Sequence, residues 1–66
     1  MNTGLGIKRR GAGYTAQEFS ELIRAQIPRM SEQRLAKIEQ GRLKATDEEK
    51  KLMAQLLGCP TFELQI

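Results

Sequence analysis

Apolar residues recur along this chain at the three- and four-residue spacing of a helix, in short runs that carry their own start and stop signals. Phe19, Leu22, Ile23 and Ile27 form the first clear stripe. Thr15-Ala-Gln-Glu18 ahead of it is a capping box: the Thr oxygen takes a first-turn N–H and the Glu carboxylate reaches back to the Thr N–H. Pro28 has no N–H and its ring obstructs the preceding turn, so the predicted helix runs over about 16–26. Ser31 is a good N-cap for a second, shorter helix over 32–40, with Leu35 and Ile38 on its inner stripe and Gly41 where it stops. Thr46-Asp-Glu-Glu49 is a second capping box, with acids in the first turn where the helix dipole favours them. Leu52, Met53, Leu56 and Leu57 follow as its apolar stripe, and Gly58 ends the helix near 57.

The two ends carry weaker patterns. Thr3 is placed to cap a short helix through about Arg10, although Gly4 and Gly6 lower its helix propensity. Cys59-Pro60-Thr61-Phe62-Glu63-Leu64 reads as a single helical turn with Pro60 near its start. No segment alternates at period two, so the expected fold class is all-α: about five short helices in a compact bundle. Phe19, Leu22, Leu35, Ile38, Leu52 and Leu56 are the expected core, with Tyr14 packed on the helix over 16–26 as a staple.

At 66 residues the chain has room for one domain, expected over 1–66, and a chain this short gains from a tight helical bundle or from oligomerisation. The net charge of +3 is unevenly spread. Residues 1–46 carry nine Lys or Arg against four acids, and residues 47–66 carry two against four. A basic body with an acidic C-terminal third suits a polyanion on one face. There is no His and only one Cys, Cys59, which excludes an intrachain disulfide and leaves no zinc ligand set. No apolar run approaches the roughly 20 residues that span a bilayer, and a secretory leader is not evident, so a cytoplasmic setting is expected.

Ser31-Glu-Gln-Arg-Leu-Ala-Lys-Ile-Glu-Gln-Gly-Arg42 carries the functional signal. With Leu35 and Ile38 turned inward, Glu32, Gln33, Arg34 and Lys37 face out. Such side chains hydrogen-bond base edges and phosphates, and a Gln amide pairs with adenine at two points in the major groove. Two successive amphipathic helices, the second short and polar outside, form a helix-turn-helix pattern. Enzymatic chemistry has no support: there is no His, no carboxylate pair in an apolar setting, and no base beside Cys59. The Gly4-Leu-Gly6 and Gly11-Ala-Gly13 segments follow no strand and so make no phosphate loop. No cofactor is implied.

Several of these residues together resemble the phage-repressor-like (Cro/C1, XRE-type) helix-turn-helix family. The resemblance rests on Tyr14-Thr-Ala-Gln-Glu-Phe-Ser20, on Ser31-x-x-x-Leu-Ala-x-Ile-Glu-x-Gly41, and on Leu56-Leu-Gly-Cys-Pro-Thr-Phe-Glu-Leu64. It implies a lambda-repressor-like bundle whose third helix reads bases through Glu32, Gln33, Arg34 and Lys37. It implies phosphate contacts at Thr15, Gln17, Ser31, Arg29, Arg42 and Lys44, and an ion pair between Glu39 and Arg9 or Arg10. The chain departs from the family at Ala16, where a Gln is usual, and in the Gly-rich first helix. Ten residues separate Ser20 from Ser31, about five more than usual, so that residues 24–30 either lengthen helix 2 or enlarge the turn before helix 3.

The function this implies is sequence-specific double-stranded DNA binding by a transcriptional repressor, a homodimer on an inverted-repeat operator in a promoter. Phe62, Leu64 and Ile66, within a C-terminal segment of about 58–66, form the expected dimer seam. Stand-alone domains of this family suggest a bacterial or phage-encoded, nucleoid-associated autorepressor of a mobile-element operon, such as a toxin–antitoxin or anti-CRISPR operon. The alternatives are a helical protein–protein adaptor and a non-specific nucleic-acid binder.

Overall fold

The computed structural model describes residues 3–66; Met1 and Asn2, part of the expected domain, lie outside the described residues. Four α-helices, α1 (Gly4–Gly11), α2 (Ala16–Arg24), α3 (Glu32–Glu39) and α4 (Asp47–Leu57), are followed by one 3₁₀ turn, Thr61–Leu64. Among the described residues there is no strand. The bundle is thus all-helical, with four helices rather than five. The fifth apolar run, bounded by Pro60 and an αL residue at Gln65, is too short to close more than one turn.

The caps act as the side-chain chemistry dictates. Both capping boxes are complete, Thr15 with Glu18 and Thr46 with Glu49. Ser31 accepts from the Arg34 N–H at 3.1 Å. The Tyr14 and Phe19 rings lie 5.4 Å apart, closing a hydrophobic staple across the Thr15 cap. Gly41 takes φ +76°, a value costly for residues with a Cβ. It ends α3 in a Schellman motif: the Gly41 N–H reaches Ile38 O at 3.1 Å and the Arg42 N–H reaches Lys37 O at 2.9 Å. Thr3 departs from expectation. Its hydroxyl caps nothing on α1 and instead, with its own N–H, donates to Glu39 O at the end of α3. The start of α1 therefore satisfies an orphan carbonyl of α3.

The core joins all four helices and the 3₁₀ turn through Leu5, Phe19, Ile23, Leu35, Ile38, Leu52, Met53 and Leu64. Each fully buried large side chain of this kind contributes roughly 1.5–3 kcal/mol. Two expectations are corrected here. Leu22 is 43% exposed. Phe19, Ser20 and Ile23 face inward, and Leu22 stands about 100° around the helix from Ile23, toward solvent. Leu56 is only half-buried, while its neighbour Met53 is fully enclosed.

The enlarged turn is resolved in favour of a turn rather than a longer helix. α2 ends at Arg24, two residues before the predicted limit, and residues 25–31 cross to α3. Ile27 and Met30 are buried at 4% and 1% exposure and pin the crossing to the core. Arg24 Nε donates to Met30 O at 3.0 Å, tying the end of the turn back to the helix it left.

Gly4 and Gly6 of α1 serve close packing, and Gly11 does not. A Cβ on Gly4 would lie 2.7 Å from Glu63 O and 3.2 Å from Leu64 O, so the 3₁₀ turn approaches α1 within backbone distance. A Cβ on Gly11 would meet nothing within 4 Å. Gly4→Ala is therefore expected to destabilise the protein by about 1–2 kcal/mol despite its better helix propensity, whereas Gly11→Ala should be neutral or stabilise by up to about 1 kcal/mol. Urea denaturation of the two variants checks the contrast; equal midpoints would disprove the close packing.

Candidate functional site

α3 is eight residues long and buries only Leu35 and Ile38 among its apolar side chains. Two Arg–carboxylate pairs hold its flanks. On the α1 side, Arg9 Nε donates to Glu39 Oε2 at 2.6 Å and Nη2 to Oε1 at 3.2 Å. Arg9 Nη1 also donates to Tyr14 O at 2.9 Å, so one guanidinium ties α1, the segment before α2, and α3. Of the two arginines expected to pair with Glu39, Arg9 does so. Arg10 is exposed, beside a cleft lined also by Gly6, Ala36, Glu39 and Gln40.

On the α4 side, Arg34 meets Glu49. Arg34 Nε donates to Glu49 Oε2 at 2.8 Å and Nη2 to Oε1 at 2.9 Å. Glu49 also accepts the Thr46 N–H at 2.8 Å, completing the capping box, and it is fully buried. The hydrogen bond from Arg34 is the main reason its carboxyl falls from 4.5 to about 2, against the opposing cost of burial. The same bond raises the Arg34 guanidinium above its ordinary range. Arg34, expected among the base contacts, is placed as a structural strut whose charge is already answered by Glu49.

The remaining residues of α3 form a free outer face. At 100° per residue, Gln33, Ala36, Lys37 and Gln40 follow the i, i+3, i+4, i+7 spacing of one helical stripe, directly opposite Leu35 and Ile38. Gln33, Lys37 and Gln40 are exposed and Ala36 is half-buried. Glu32 is also exposed but lies at the α1 edge of the stripe. Among the described residues, the side-chain hydrogen bonds of α3 all come from Arg34 and Glu39, leaving the amides of Gln33 and Gln40 free. Gln40 and Ala36 were not among the residues singled out from sequence. Their spacing from Gln33 was readable there, but Gln40 stood in the pattern only as the unassigned position before Gly41.

The expected phosphate contacts divide into free and engaged groups. Arg42 and Lys44 are exposed in the loop after α3, and among the described residues neither has a carboxylate within 4.0 Å. The same holds for Lys37 and Arg10. Arg29, by contrast, faces α4: Nη2 donates to Thr46 Oγ1 at 3.1 Å, and its guanidinium lies 3.7 Å from Glu49 and 3.8 Å from Glu48. Thr15 and Ser31 spend an oxygen lone pair on their helix caps. Gln17 is exposed and donates to Glu21 at 3.4 Å.

The expected dimer seam is also divided. Leu64 is fully buried in the core of its own chain, because the 3₁₀ turn packs against both α1 and α4. It cannot serve an interface and is removed from the seam. Phe62 remains 79% exposed and Ile66 is half-buried.

Among the described residues no group of three or more His, Cys, Asp or Glu side chains is arranged to hold a metal, and no helix is long and apolar enough to cross a membrane. Compared with known proteins, the chain matches no family model, no curated protein and no solved structure.

The Arg34–Glu49 pair makes a pH prediction. Glu49 titrates lower in the folded chain than in the unfolded one, so its stabilisation is present above about pH 4.5 and is lost as pH falls toward about 2. The loss should be on the order of 3 kcal/mol. Urea midpoints measured between pH 6 and pH 2 should fall for the native chain. Glu49→Gln should start less stable at pH 6 and show a shallower fall; parallel curves would remove Glu49 as the cause.

Proposed function

We propose that this chain is a sequence-specific double-stranded DNA-binding transcriptional regulator of the helix-turn-helix class, with α3 as its recognition helix. The observation that carries this is the outer face of α3. It is a stripe of uncommitted amides and an ammonium on a helix held from both sides, continued by the free cations Arg42 and Lys44. An exposed face that needed only solubility would not require two Arg–carboxylate clamps behind it. Side chains that read base edges do, because a misplacement of an ångström loses a two-point hydrogen bond.

In this reading α2 lies across the DNA backbone and α3 enters the major groove. Gln33 and Lys37 meet base edges, while Arg42 and Lys44 meet phosphates. Arg34 and Arg29 act from behind, on Glu49 and Thr46. Glu32 sits at the rim, where it accepts from a cytosine amino group or is repelled by phosphate. One domain of this size makes few base contacts, each discriminating by roughly 1–3 kcal/mol, and a homodimer on an inverted repeat multiplies them. Repression by occluding a promoter needs no further part of the chain, and the phage-repressor-like resemblance favours control of its own operon in a phage or mobile element.

Fluorescence anisotropy with the duplex upstream of the protein's gene tests this directly. Binding should persist over a scrambled duplex as salt is raised, and Arg42→Glu with Lys44→Glu should weaken it at least tenfold with the fold intact by circular dichroism. Parallel loss on both duplexes would favour non-specific binding. No binding by the native chain to either duplex would favour a protein–protein adaptor, and an unchanged affinity in the variant would remove Arg42 and Lys44 as phosphate contacts.

The dimer seam has its own test. With Leu64 committed to the core, Phe62 is the apolar anchor left to it. Phe62→Asp should sediment as a monomer and bind the operator more weakly, while a persisting dimer would place the seam elsewhere.

A further inference from the structure

The stripe on α3 specifies what kind of base sequence it fits, and this inference rests on the DNA-binding reading above. Gln33 and Gln40 are seven residues apart, which on a helix is about 10.5 Å of rise with nearly the same azimuth. Base pairs follow one another every 3.4 Å or so along the DNA axis, and a helix lying in the major groove is inclined to that axis, so two amides on one stripe lie about two to three base-pair steps apart. Each amide offers one donor and one acceptor, the pair that matches adenine N7 and N6–H₂. Between them Ala36 presents only a methyl group. Ala36 is half-buried on the α1 side of the stripe, beside Gly6 and Arg10, with Lys37 on the other side, and the hydrocarbon surface the major groove offers such a methyl is the 5-methyl of thymine. Side chains on a helix lean toward its N-terminus, so Gln40, although it caps the helix, reaches back over the turn that holds Ala36 and Lys37.

We propose that the cognate half-site carries two adenines about two to three base-pair steps apart, read by Gln33 and Gln40, with a thymine between them whose 5-methyl packs on Ala36. Gln40 and Ala36 are thereby specificity-determining residues. Arg34 is not, since its guanidinium is held by both oxygens of the buried Glu49 carboxylate.

Selection from a randomised duplex library, run with the full chain and with Gln33→Ala and Gln40→Ala, tests the assignment. Each variant should lose preference by about tenfold at a single adenine, and the two positions should lie about two to three base pairs apart. Replacing the intervening thymine by uracil in the selected duplex removes only the methyl and leaves the protein untouched. It should weaken binding by the native chain several-fold and have no effect on Ala36→Gly, whose folding is checked by circular dichroism. The proposal is overturned if Gln40→Ala lowers affinity for all sequences equally, or if the uracil duplex binds as well as the thymine one. In both cases a clear native consensus would leave the DNA-binding reading standing. If the native chain enriches no consensus at all, that reading fails together with this one.

Discussion

The placement of α3 is the constraint on which the rest of the structure depends. A helix of two turns cannot hold itself in water, because nucleation costs more than so few backbone hydrogen bonds return. Leu35 and Ile38 attach it to the core along one line, about which it would remain free to roll. The Arg9–Glu39 and Arg34–Glu49 pairs supply the missing restraints, one on each flank. Both use the planar fork of Arg on both oxygens of a carboxylate, a geometry that fixes orientation as well as distance. Burying such pairs contributes little net stability beyond well-packed apolar groups, so their effect is chiefly to fix which way the helix faces.

Other features converge on the same element. The Thr3 N–H and hydroxyl meet the Glu39 carbonyl, Gly41 closes the C-terminus, and Ser31 closes the N-terminus. The long crossing from α2 is anchored by Ile27 and Met30, so the extra residues deliver α3 at a defined point rather than on a loose tether. Arg29 extends from that crossing to Thr46 and the Glu49 carboxylate, joining the turn to the start of α4. Lys37, Arg42 and Lys44 are among the cations that such bracing does not consume. That separation divides the charges that build the helix's seat from the charges left unpaired beside its outer face.

The helices themselves were legible because their signals are local. Capping boxes at Thr15 and Thr46, the glycine stops at Gly41 and Gly58, and Pro28 act within a turn or two of where they stand. The outward set on α3 was half legible. Gln33 and Lys37 follow from the position of Leu35 and Ile38, and Gln40 and Ala36 fall on the same wheel of the helix expected over 32–40. What misled was reading each polar residue by its own chemistry. Arg34 looks like a base or phosphate contact until Glu49, fifteen residues away, takes its guanidinium. Glu49 carried a local explanation as the third residue of a capping box, and nothing in its neighbourhood marks its second role.

Sequence by itself determined the helix boundaries to within about two residues and the all-helical class, because both depend on backbone propensity and periodic spacing that operate at short range. Tertiary structure alone decided the long-range pairings. It chose Arg9 over Arg10, drew Arg34 onto Glu49, buried Leu64 where a seam was expected, and turned Leu22 outward. Ion pairs and core contacts depend on three-dimensional distance between elements. Neighbouring residues of identical type, such as Arg9 and Arg10, differ only in which side of a helix they occupy when the bundle closes.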